Sequence, residues 1–220
     1  LLIAESTRSA GYEVSILDLL AERIQKDKTV ERINKLNPRL ICFVVYGENV
    51  NSGTTQMSGA IEYSEYISKY TSKSKIAFIG SYVQALPIKA MQDEPSIDFV
   101  FTNEGIYALQ ELLKTDLDNL SQLKYVKGIC YRDSGHIKMN PPEIIVPQER
   151  IDLDMPGYAW DLLPFKERPL DLYRSPLWHA GYNHSDRSPY AAFYTSLGCR
   201  FQCNFCMINL INRDDDLEVG

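Results

Sequence analysis

No apolar run in this chain approaches the ~20 residues that span a bilayer, and no charged n-region, apolar h-region and small-residue cleavage site marks a secretory signal. Basic blocks are missing too: 23 Lys+Arg are scattered among 29 Asp+Glu, for a net charge of −6. That balance argues against nucleic acid as the main partner, as the lack of a long apolar run argues against a membrane span. There is no internal repeat and no low-complexity tract. Cysteine is scarce and odd in number: five residues, three of them clustered, do not make a disulfide framework. They fit a reducing compartment in which thiols stay free for metal, so the expected setting is cytoplasmic.

What is there is ordinary globular composition, 220 residues with 45% hydrophobic and 24% charged, enough for one to two domains. The opening stretch Leu1-Leu-Ile-Ala-Glu-Ser-Thr-Arg-Ser-Ala10 reads as the later turns of a helix, and the chain stops soon after its last cysteine. The expectation is a fragment cut at both ends.

Strand and helix signals then alternate. Gly11 stands where a helix stop belongs. Residues 12–18 alternate as a strand, and Leu19 to about Lys35 carries a helical pattern. Leu40 to Tyr46 is a continuous apolar run between Pro38 and Gly47, as in a strand covered on both faces. Ser52 opens the next helix, whose inward stripe is Met57, Ala60, Ile61, Ser64 and Ile67. Ile76–Ile79 predicts a strand, Leu86–Met91 a short helix, Ile97–Phe101 a strand and Ile106–Leu113 a helix. This grammar predicts parallel βαβ units in a doubly wound α/β sheet. Such sheets bind ligands at the carboxyl ends of their strands. Here those ends are residues 47–53, 80–84 and 102–105, all rich in small and amide residues.

Beyond Leu113 the pattern changes. Val126–Arg132, Asp133-Ser-Gly135 and His136–Met139 make a hairpin signal. Residues 140–189 are proline-rich and aromatic, a connector expected to pack through Tyr158, Trp160 and Phe165. Residues 191–195 predict a new strand running into Gly198 and the cysteines.

Cys199, Cys203 and Cys206 stand at the spacing C-x3-C-x2-C. Three thiolates so placed can wrap one metal centre and leave a fourth position open. Structural zinc is the competing reading, with His179, His184 or Cys130 as a distant fourth ligand. Cys42 and Cys130 lie inside strand signals and read as buried thiols.

Gly198-Cys-Arg-Phe-Gln-Cys-Asn-Phe-Cys206 resembles the signature of the radical S-adenosylmethionine superfamily, with Phe205 as the aromatic residue before the third cysteine. Upstream, residues 10–18, the glycine loop from Ile79 to Pro87, the acidic turn from Asp98 to Gly105, and the segments 152–156 and 159–164 resemble the branch with an N-terminal cobalamin-binding domain. The glycine loop carries Ser81 where a second glycine is common, and the acidic turn reads Asn103-Glu-Gly105 in place of Gly-Glu.

The resemblance implies a Rossmann-like cobalamin-binding domain over residues 1–122, a hairpin and connector over 123–189, and the first strand of a (β/α) barrel over 190–220. It implies that Cys199, Cys203 and Cys206 hold a 4Fe–4S cluster, with S-adenosylmethionine on the open iron and Phe205 near its adenine. Reductive cleavage would give a 5′-deoxyadenosyl radical, with electrons from a flavodoxin or ferredoxin. Cobalamin would lie against Ser52, Gly80, Ser81 and Gly105 and serve methyl transfer or carbon-skeleton chemistry. The other expectation is a corrinoid- or nucleotide-binding module with a zinc site. A chain ending here would lack most of the barrel, so no turnover is expected of it alone, and its substrate is not legible.

Overall fold

The structure is a computed structural model that describes residues 1–46, 54–71, 73–164, 198–199, 201, 203–208, 213–214 and 217–218. The chain divides into two compact units, residues 1–25 with 155–197, and residues 26–154 with 198–220.

The first unit contains helices α1 (Leu2–Ser9) and α2 (Leu19–Glu22). Arg8 forks onto Asp161, Nη1 to Oδ2 at 2.7 Å and Nη2 to Oδ1 at 3.0 Å, and also meets Glu5. Residues 12–18, expected as a strand, join no ladder among the described residues. Alternation prepares two faces, but a strand exists only beside another strand's hydrogen-bonding edge. Asp18 instead caps α2, its carboxylate accepting the Ala21 N–H at 2.9 Å. The helix expected from Leu19 to Lys35 is interrupted, because Arg23 turns into the left-handed region at φ +50°.

The second unit resumes with α3 (Lys26–Leu36) and is built on a five-stranded sheet. In order across the sheet come β1 (Leu40–Val44), β2 (Lys75–Ile79), β3 (Phe99–Phe101), β4 (Ile129–Asp133) and β5 (His136–Met139). The first three run parallel, joined by α4 (Met57–Tyr70) and then by α5 (Ser81–Ala85) with α6 (Pro87–Asp93). The helix expected over Leu86–Met91 is α6, which Leu86 precedes and Pro87 opens at its first turn, while α5 before it was not expected from the sequence. Helix α7 (Ile106–Lys114) and the short α8 (Leu120–Leu123) follow β3.

The Rossmann-like α/β class holds, but the sheet is mixed and not wholly parallel. The predicted hairpin pairs antiparallel with β3, with Val100 opposite Cys130, and covers that edge. Ser134 and Gly135, both at positive φ, make its tight turn. Arg132 locks the hairpin to the helical layer by donating to the carbonyls of Met91, Glu94 and Ile97 at 2.7–3.0 Å.

The core sits on β2 and β3, where Ile76, Ala77, Phe78, Ile79 and Val100 are essentially sealed from solvent. Strand β1, expected to be covered on both faces, is so only in part. Phe43 stacks on Phe78 at 4.7 Å, whereas Val44 is half exposed, because β1 has β2 on one side and no described strand on the other. Of the stripe read on α4, Met57, Ser64 and Ile67 are buried and Ala60 and Ile61 are half-buried. Among the described residues no helix is long and apolar enough to cross a membrane.

Candidate functional site

Because β1, β2 and β3 are parallel, their carboxyl ends meet at one edge of the sheet. Val45 extends the first pairing, its N–H donating to the Ile79 carbonyl at 2.8 Å, and Tyr46 follows. Residues 47–53, including Ser52, lie outside the described residues.

After β2 the chain turns at Gly80, at φ +152°. A Cβ there would stand 1.9 Å from the Val45 carbonyl oxygen. After β3 it turns at Asn103, at φ +51°, and at Gly105, at φ +74°, where a Cβ would meet Ile79 Cδ1 at 2.4 Å. At both glycines the missing side chain is demanded by packing inside the protein.

Between these turns lies a buried polar cluster. Ser81, 1% exposed, opens α5 with a hydroxyl that has no hydrogen-bond partner. The Thr102 hydroxyl, at the end of β3, is likewise buried and unpartnered. Thr102 directly follows β3 and Ser81 follows β2 by one turn residue, so the two stand at the carboxyl ends of neighbouring parallel strands. The buried Gln84 amide donates to the Tyr46 hydroxyl at 3.0 Å and to the Asn103 carbonyl. Asn103 in turn donates to the Glu143 carbonyl, and the Glu104 carboxylate accepts the Val146 N–H at 2.6 Å. Two deep hydroxyls without partners, inside an otherwise well-bonded cluster, mark where a polar ligand group would complete the bonding.

Tyr46, Gln84 and Thr102 carry this cluster and were not singled out in the sequence. The only signal was the run of small and amide residues in the loops that hold Gln84 and Thr102. Which of them bond to one another depends on three distant segments meeting.

Elsewhere the polar groups are engaged. A groove of about 320 Å³ at the amino edge is lined by Thr71, Ser74, Lys75, Ser96 and Asp98 among others. Thr71 donates to Ile67, Ser74 to Pro38, and Ser96 pairs with Ser64. Lys75 meets Asp118, and Asp98 accepts the Ile76 N–H. His136 stands at the hairpin turn, at the opposite edge from the cleft, since β4 runs antiparallel to β3.

Cys199 and Cys206 are half-buried, Cys203 is exposed, and all three thiols are free. The Cys206 N–H donates to the Cys203 carbonyl at 3.0 Å, closing a turn between them. Among the described residues no three His, Cys, Asp or Glu side chains stand close enough to hold a metal ion. Phe205, between Cys203 and Cys206 in the chain, is 80% exposed. The strand expected at 191–195, Phe165 and the histidines His179 and His184 lie outside the described residues; Tyr158 and Trp160 do stack, at 5.3 Å. Burial pushes the thiols of Cys42 and Cys130 up to about 12, in line with their reading as inert buried cysteines.

The fold is that of a Rossmann-like α/β domain with a buried polar cluster at its parallel strand ends. The B12 binding domain profile matches residues 1–113, and the chain belongs to that family. It is 26% identical to an uncharacterized methyltransferase of Pyrococcus horikoshii over 90% of this chain and 38% of that protein. It is 27% identical to the cytidylyl-2-hydroxyethylphosphonate methyltransferase of Streptomyces wedmorensis over 93% of this chain and 42% of that protein. The chain therefore spans about two fifths of the length of these curated relatives.

Among solved structures it resembles the cobalamin-dependent S-adenosylmethionine radical enzyme OxsB with aqua-cobalamin bound, with a TM-score of 0.55 and 20% identity over 73% of this chain and 21% of that one. It also resembles the radical S-adenosylmethionine methyltransferase TsrM of Kitasatospora setae, with a TM-score of 0.52 and 17% identity over 64% of this chain and 26% of that one. These two likenesses establish the fold.

Proposed function

We propose that the chain holds cobalamin at the carboxyl edge of its sheet and forms the cofactor-carrying part of a radical S-adenosylmethionine enzyme. Methyl transfer is the favoured reaction class, since both curated relatives carry methyltransferase names. The observation that carries the cobalamin reading is the pair of buried hydroxyls on Ser81 and Thr102 without partners. The strand ends suit the group chemically: a corrin bears peripheral amides, which both donate and accept hydrogen bonds, and the unpartnered Ser81 and Thr102 hydroxyls lie there to be completed. Ser52, Gly80, Ser81 and Gly105 are the expected contacts, and the unpartnered Thr102 hydroxyl supports adding that residue.

Cys199, Cys203 and Cys206 would hold a 4Fe–4S cluster. Three free thiols within eight residues are the right donor set. Such a cluster supplies an electron to S-adenosylmethionine, drawn from a flavodoxin or ferredoxin in a reducing cytoplasmic setting. The chain's own part is to keep those thiols reduced and reachable and to hold Phe205 beside them. In this reading residues 1–122 carry the corrinoid, 123–189 connect, and 190–220 begin the radical domain. The chain by itself would show no turnover.

Two measurements test the reading. Titration of the chain with hydroxocobalamin should shift the corrin absorption bands with a saturable stoichiometry of about one, as expected for one cleft. No spectral change would remove the corrinoid assignment. Anaerobic reconstitution with iron and sulfide should give a brown product absorbing broadly near ~400 nm that is lost in Cys203→Ala. Tight stoichiometric zinc without iron uptake would replace the cluster by a structural zinc site.

A further inference from the structure

Among the described residues at the carboxyl edge, Gln84 bonds to two segments other than its own. It is 4% exposed and sits on α5, which follows directly from β2. One amide nitrogen donates both to the Tyr46 hydroxyl beyond β1 and to the Asn103 carbonyl beyond β3. Its own backbone N–H bonds to the Gly80 carbonyl at 2.9 Å. A single side chain thereby ties together the ends of three parallel strands. No backbone bond among those described does the same, since the ladders join only adjacent strands and stop at Val45 and Thr102.

We propose that Gln84 is the positioning residue of the ligand edge, setting the spacing of the carboxyl ends of β1, β2 and β3 against which the corrin would rest. The inference rests on the cobalamin reading given above. A methionine at this position keeps the length and burial but has no donor for either partner. The end of β1 and the acidic turn then move independently, and the Asn103 carbonyl loses its donor in a buried place. Ser81 beyond β2 and Thr102 beyond β3 would no longer be held at a fixed separation. Their hydroxyls suit a ligand only in that arrangement.

Hydroxocobalamin binding is measured for the wild-type chain, Gln84→Met and Tyr46→Phe, at a temperature well below every thermal midpoint so that all three are folded. The expected result is a Kd raised at least about tenfold in Gln84→Met and by a smaller factor in Tyr46→Phe, which cuts only the β1 arm. If Gln84→Met does not fold, Tyr46→Phe alone decides the matter. A lowered midpoint with an unchanged Kd would mean that Gln84 only supports the fold, and the inference would be wrong while the cobalamin reading stood.

Amide hydrogen exchange on the ligand-free proteins gives a readout that needs no corrinoid. Loss of the tie should speed exchange at both Val45 and Thr102, the last ladder amides of β1 and β3. A change confined to residues 81–86 would overturn the positioning role. Should the wild-type chain take up no hydroxocobalamin, the ligand assignment falls and the exchange data alone decide the role of Gln84.

Discussion

Gly80 and Val45 meet through bare backbone: a side chain on the first would drive its Cβ to 1.9 Å from the carbonyl oxygen of the second. The carbonyl belongs to the end of β1, held by the Val45–Ile79 hydrogen bond, so it cannot retreat without opening the ladder. The approach brings the turn after β2 against the end of β1.

Gly80→Ala should therefore cost about 3 kcal/mol or more, from the overlap together with strain at positive φ. Gly59→Ala is the control. It lies within α4, where an added Cβ meets nothing within 4 Å, and should gain about 0.5–1 kcal/mol through helix propensity. Urea unfolding of the two variants beside the wild type checks both signs.

Ser81→Ala and Thr102→Val should each stabilise the ligand-free chain by about 1 kcal/mol, because each removes a buried hydroxyl that lacks a partner. Both should weaken hydroxocobalamin binding. Opposite movements of unfolding midpoint and affinity are the signature of polar groups kept for a ligand. A loss of stability in both variants would show that the hydroxyls serve the fold.

The five cysteines should divide by reactivity. Cys42 and Cys130 have thiols that burial pushes up to about 12, leaving almost no thiolate near neutral pH. Although the Cys42 residue is only half-buried, its shift stems entirely from desolvation. Cys203 is exposed and Cys199 and Cys206 half-buried. An aromatic disulfide reagent should titrate three thiols in the native chain and the other two only after unfolding. Fast labelling of Cys130 in the native state would contradict the packing of β4.

Asp98 should make the chain less stable as pH rises. Desolvation holds its carboxyl above the ordinary carboxylate value, against the pull of the Ile76 N–H, Lys75 and Arg132. A folded-state value above the unfolded one means that the folded chain binds the proton more tightly. The contribution is therefore fully present below the ordinary aspartate value and is lost as pH rises through the raised one. Asp98→Asn should flatten this acidic limb, seen as a smaller difference in urea midpoint between acidic and neutral buffer.

The parallel core was legible because β2 and β3 are short apolar runs between turn signals, as strands buried on both faces are, although β1 shows the same pattern with Val44 half exposed. The break of α2 at Arg23 was not legible, since neither glycine nor proline marks it. Residues 12–18 show the converse: an alternating pattern needs a neighbouring edge before it becomes a strand. At the candidate site, Gly80, Ser81 and Gly105 could be named from their motif. Gln84 and Thr102 could not, because their significance lies in bonds made, or left unmade, with residues far away in the chain.

The sequence by itself determined the alternation of strands and helices, the free cysteine trio and the small residues at the strand ends. Those follow from local periodicity, side-chain size and thiol chemistry. Only the tertiary structure decided that the hairpin would close the sheet antiparallel to β3. It alone decided that Gly80 would lie on the Val45 carbonyl and that two hydroxyls would be buried without partners. Each of those depends on which distant backbone atoms come within bonding distance, and no local pattern encodes that.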